Sequence, residues 1–146
     1  MHIESLAHDD AFADTRPGRS RTALWTGRVL SAVAILFMTA DSIGKLLEVA
    51  PVVAGSTELG YPARTVFAIG LIELLCVVAY MIPSTSALGA LLLTAYLGGA
   101  VATHVRVENP LLSHTLFPVY VALFAWGGLV LRDARLRAFL PGRGRR

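Results

Sequence analysis

Cysteine occurs once in the 146 residues, as Cys76. A disulfide framework needs pairs, and a dithiol redox motif needs two neighbouring thiols, so both are excluded. Charge is scarce as well. Asp, Glu, Lys and Arg make up 16% of the chain, against roughly 25% in an ordinary soluble domain. The sequence holds no glycine-rich phosphate loop, no hydrolase elbow and no nucleophile–base pair. Redox chemistry in this chain would have to be borrowed from a cofactor or a partner. A lone enzyme is not expected, because no complete catalytic set is present.

What the chain has is apolar surface. Hydrophobic residues reach 55%, and they come in four blocks long enough, or nearly so, to cross a bilayer as helices of about 20 residues. The spans are expected at about 24–47, 65–82, 85–104 and 112–131. The fold class is therefore all-α, a transmembrane four-helix bundle occupying residues 23–141. Residues 1–22 read as a disordered polar tail and 142–146 as a basic tail. The N-terminal tail lacks the basic start and closely following apolar run of a signal peptide. Between the first two spans, Pro51 suits the first turn of a short helix and Gly60 its end. Pro83 and Ser84 make a tight turn, and Pro118 fits the start of the fourth span.

The third span is rich in small residues, among them Gly89, Ala90, Gly98 and Gly99. Such residues let helix backbones approach closely in a membrane. Gly98, Gly99, Gly127 and Gly128 are read as packing glycines. Tyr96, Tyr120 and Trp126 suit packing or the aromatic belts.

Of the 13 Lys and Arg residues, four precede the first apolar core and six follow the last span. Lys45, Arg64 and Arg106 fall on the other side. The positive-inside rule then puts both termini in the cytoplasm and the protein in the cell membrane, as an even number of spans requires. The basic ends suit anionic lipid headgroups, and nucleic acid is not an expected partner.

Four spans leave a few ionisable residues at awkward depth. A carboxylate near the bilayer centre, as Glu73 would be, costs roughly 2.5–3.5 kcal/mol on insertion scales. Two roles offset that cost: a fastener between helices, or a group that carries protons or anchors a ligand. Asp41 and Lys45 share a helix face, with Glu48 three residues further on. At 1.5 Å per residue, Asp41 lies about 9 Å and Glu73 about 12 Å from the outer ends of their spans. Antiparallel neighbours bring them to one level, so a Lys45–Glu73 pair is the sharpest geometric expectation. The alternative is a Lys45 that snorkels to the headgroups. His104 and Arg106 close the third span on the same side and His114 precedes the fourth. They read as proton-relaying residues or as polar helix ends. The candidate polar site is thus Asp41, Lys45, Glu73, His104 and Arg106. Tyr80 and Cys76, on the Glu73 face, are candidates for the lining of a quinone or lipid pocket, Cys76 as an inert thiol. Two histidines and Glu73 lack metal-ligand spacing, so no metal is expected.

These residues together resemble the DoxX-like family of small four-helix bacterial membrane proteins, over residues 28–141. The resemblance rests on Asp41, Gly44 and Lys45, on Glu58-Leu59-Gly60-Tyr61-Pro62, and on Gly70-Leu71-Ile72-Glu73. It continues through GALLLTAYLGGAVATHVR from Gly89 to Arg106, Leu116-Phe117-Pro118, Trp126 and Leu131-Arg132-Asp133. The family takes its name from a subunit of an archaeal thiosulfate:quinone oxidoreductase. The resemblance implies a membrane subunit or anchor of a redox complex, quinone-linked through a partner or a pocket. A redox protein is the partner it implies. Two further readings stand beside it: an assembly module for other membrane proteins, and a solute or proton pathway. A pathway would need a homo-oligomer, because four short helices enclose little space. The first and third spans also show no acids or bases in their inner halves.

Overall fold

The computed structural model describes residues 21–139, which are helical and contain no strand. In chain order the elements are α1 (Arg21–Leu46), α2 (Ala50–Glu58), α3 (Ala63–Met81), α4 (Ser86–Arg106), α5 (Phe117–Arg132) and α6 (Ala134–Phe139). A π-helical turn, Leu111–Thr115, precedes α5. The expected tails lie outside the described residues, apart from Arg21 and Thr22, which open α1.

Local chemistry sets these boundaries. Pro51 sits in the first turn of α2, where its missing N–H costs no hydrogen bond. Past the end of α2, Gly60 adopts φ +84°. Its N–H donates to the Thr57 carbonyl, and that of Tyr61 to the Ser56 carbonyl. These bonds satisfy the orphan acceptors of a helix end. At the α3–α4 turn, the Thr85 hydroxyl donates to the Ala79 carbonyl at 2.8 Å.

The fourth span departs from a single regular helix. The ring of Pro118 clashes with a helical carbonyl four residues back, at His114, so an α-helix cannot run through this point. The chain forms the π turn instead, with Leu116 N–H donating to the Leu111 carbonyl at 2.8 Å. It restarts at Phe117. The π turn and α5 together, Leu111–Arg132, are still long and apolar enough to span. The third span, α4, also runs two residues past its expected end at His104, to Arg106.

The four long helices form a closed ring. α1 packs on α3 and α5, and α4 packs on the same two, so successive spans are antiparallel neighbours. Close approaches fix the ring. A Cβ on Gly89 would collide with the backbone of Tyr80, and one on Gly128 with Ser31. A Cβ on Gly70 would come within 2.6 Å of the Lys45 Cβ, tying α3 to the end of α1. The packing expected of Gly98 and Gly99 is absent: nothing lies within 4 Å of a Cβ at either. Both positions open onto empty space, so closeness is supplied by Gly89 and Gly128 instead. Gly127 meets only Leu30, at 3.6 Å.

The core runs along the ring axis through Met38, Val77, Tyr80, Leu93, Ala125 and Leu129. The outside is apolar too. Leu36 on α1 is 74% exposed, and Leu75, Leu91 and Leu123 hold the same outward positions on α3, α4 and α5. Such a surface is unfavourable in water and matched by lipid. Four described helices are long and apolar enough to cross a membrane.

Candidate functional site: a buried polar cluster beside an apolar cavity

Lys45 stands one residue before the end of α1, and its aliphatic stem carries the ammonium back into the ring. There Nζ donates to Asp41 Oδ2 at 2.5 Å, to Glu73 Oε2 at 2.8 Å and to Tyr96 Oη at 3.0 Å. The Tyr96 hydroxyl donates in turn to Glu73 Oε2 at 2.7 Å. Three helices thus meet at one carboxylate oxygen. The Glu73 side chain is 0% exposed and that of Lys45 is 13% exposed, whereas Asp41 is 36% exposed. Lys45 therefore pairs with Glu73 and does not snorkel outward. Glu73 Oε1 is buried with no hydrogen-bond partner among the described residues.

The cluster borders a cavity of about 810 Å³. Its walls include Phe37 and Met38 of α1, Ile69 and Ile72 of α3, and Phe117 and Val121 of α5. Asp41, Lys45 and Tyr96 reach the lining, while Glu73 sits behind them. Val52, Ser56 and Glu58 of α2 close one side, and His104, Asn109 and His114 line the same end. Gly99 lies on the wall, where its lack of a side chain keeps the space open. Phe37 and Phe117 stack edge to face, 5.0 Å between centroids.

The remaining expected residues take other places. His104 lines the cavity but stands apart from the cluster. Its Nδ1 pairs with the Asn109 amide at 2.8 Å, and its ring lies 6.1 Å from that of His114. Arg106 turns away and donates to the Leu59 carbonyl at 2.6 Å, clasping the end of α2. Glu48 is not on the Asp41–Lys45 stripe: it lies past the end of α1, with φ 48°, and is exposed. Tyr80 and Cys76 do not line the cavity; both are core residues. The Tyr80 hydroxyl donates to the Ala125 carbonyl at 2.7 Å and pairs with Ser31 Oγ at 2.9 Å. Seven residues of α3 separate Tyr80 from Glu73, about 10 Å along the axis, which takes it out of the cavity's reach.

Tyr96 is the cluster residue that the sequence assigns to packing or the aromatic belts. A signal existed. Glu73 and Tyr96 lie at similar separations from the Pro83–Ser84 turn, so an α3–α4 hairpin brings them to one depth. Tyr61, whose hydroxyl pairs with Thr103 Oγ1 at 2.7 Å, was also passed over; it joins the segment after α2 to α4. Among the described residues, no three of His, Cys, Asp and Glu gather as metal ligands.

A ring of four apolar helices around a small polar cluster agrees with the family resemblance. The sequence matches the DoxX-like family over residues 29–128, and the chain belongs to that family. It is a multi-pass membrane protein. No curated protein and no solved structure matches it.

Proposed function

We propose that this chain is the membrane subunit of a redox assembly, holding a small amphipathic ligand of the quinone type in its cavity. The observation that carries the ligand is the polar cluster of Asp41, Lys45 and Tyr96 set into the wall of an apolar cavity of about 810 Å³. Such a cavity with a few convergent polar groups is the general form of a small-molecule site. The assembly rests on the family resemblance and on the lack of a catalytic set in this chain. Its seat is the cell membrane, with both termini cytoplasmic, which the excess of arginine at the chain ends supports.

Gentle purification from the native membrane, followed by mass spectrometry of everything retained, tests this reading. A stoichiometric flavin- or iron-bearing protein together with a quinone or its quinol is expected. A partner without any cofactor or small molecule would replace the reading with an assembly module. Proton flux in vesicles that fails in Glu73→Gln would replace it with a pathway.

A further inference from the structure

The cluster has used up its hydrogen-bond donors. An ammonium has three N–H groups, and those of Lys45 go to Asp41, Glu73 and Tyr96. The single O–H of Tyr96 goes to Glu73. Neither residue keeps a donor for a ligand. An acceptor is left over. Asp41 engages Lys45 through Oδ2 only, its Oδ1 has no partner among the described residues, and its side chain is the exposed member at 36%. The charge points the same way. Asp41 and Glu58 line the cavity with Glu73 behind them, against Lys45 as the one Lys or Arg of the lining among the described residues. The Asn109 amide N–H donates to His104 Nδ1, so the ring proton of a neutral His104 lies on Nε2, a donor on the lining that stands apart from the cluster and from Asp41, while His114 engages Nδ1 with Ser113.

We infer that the cavity selects a ligand whose head donates a hydrogen bond, received by Asp41 Oδ1, on a body that fits the apolar wall. A ring bearing hydroxyls, such as a quinol, and a protonated amine share this chemistry. A carbonyl-only quinone or a carboxylate does not. An anion would also meet the net negative charge of Asp41 and Glu73 set against Lys45. The inference deepens the proposed function and rests on its reading of the cavity as a ligand site.

The test uses the full chain in nanodiscs under anaerobic conditions, with four probes: duroquinol, duroquinone, benzylammonium and benzoate. Isothermal titration is expected to give at least tenfold tighter binding for duroquinol than for duroquinone. In Asp41→Asn, whose amide keeps the shape but can turn an N–H toward the ligand, that ratio is expected to fall toward one. Equal or tighter binding of duroquinone to the unaltered protein would overturn the inference while leaving a quinone-linked role standing. Benzylammonium binding at least tenfold tighter than benzoate, with neither ring pair partner bound, would support the donor-head inference and overturn the quinone-linked role. Benzoate binding as tightly as benzylammonium, or no probe binding at all, would overturn the inference outright.

Discussion

Glu73 is the residue on which the cluster turns. Its charge is fully buried and is offset by Lys45 at 2.8 Å and Tyr96 at 2.7 Å. Removing one partner of a buried ion pair leaves the other uncompensated, which costs about 3–5 kcal/mol. Lys45→Met is therefore expected to lower the thermal midpoint in detergent sharply. The double variant Lys45→Met/Glu73→Gln is expected to recover most of that loss, since no fully buried charge is then left without its partner; Asp41, which also loses Lys45, is 36% exposed. If the double variant were as unstable as the sum of the singles, Lys45 and Glu73 would not be acting as a pair. Tyr96→Phe removes one donor and one acceptor from the same cluster. A smaller loss is expected, about 1–3 kcal/mol, with the fold intact. The pairing of Lys45 with Glu73 was legible in the sequence because helical rise converts residue number into depth. The depth of Tyr96 was legible in the same way but its role was not, because a tyrosine in an apolar helix reads equally as packing or as an interface anchor. Arg106 misled for a related reason. Its position at a helix end fixed its level but not its direction, and the Leu59 carbonyl took it away from the cluster.

At the scale of elements, the α3–α4 hairpin is closed by Gly89 against the Tyr80 backbone. Gly89→Ala is expected to force the two helices apart and to destabilise the protein by about 1–3 kcal/mol or more. Gly98→Ala, with nothing within 4 Å of its Cβ, is expected to leave the thermal midpoint unchanged. A parallel measurement of the two separates a packing glycine from an open one. The sequence marked both as small residues on one helix, but which glycine faces a neighbour depends on helix rotation, and the apolar residues on every side of α4 leave that rotation unmarked. α2 is the other element with a visible dependence. It is held to α4 through Arg106 and Leu59, and the segment just after it is held through Tyr61 and Thr103. Arg106→Ala is expected to speed hydrogen exchange in residues 55–60 while leaving exchange in α3 and α5 unchanged. The start of α2 at Pro51 and its end near Gly60 followed from proline and glycine chemistry alone. The π turn at Leu111–Thr115 did not, because Pro118 announces a helix start without stating how the preceding residues satisfy their carbonyls.

For the molecule as a whole, four spans and their order were legible, because apolar blocks of bilayer length leave little choice. The ring order follows from short connections that make consecutive helices neighbours. The start of α1 and the end of α5 lie together, as Gly27 against Leu131 shows, so the two termini of the described chain share one side of the ring. The cavity was only half legible: Asp41, Lys45 and His104 of its lining were named as site residues and Tyr96 was not, while its apolar walls belong to residues that look like any other membrane-helix residue. Its occupancy is the central claim, and native mass spectrometry of the protein released gently from its own membrane tests it most directly. The comparison is with Gly99→Leu, which places a side chain on the cavity wall where nothing lies within 4 Å of the Cβ. The expected result is a stoichiometric small-molecule adduct on the unaltered protein that disappears in Gly99→Leu at unchanged thermal midpoint. A bare mass for both proteins, or an adduct retained equally by both, would contradict the cavity as a ligand site.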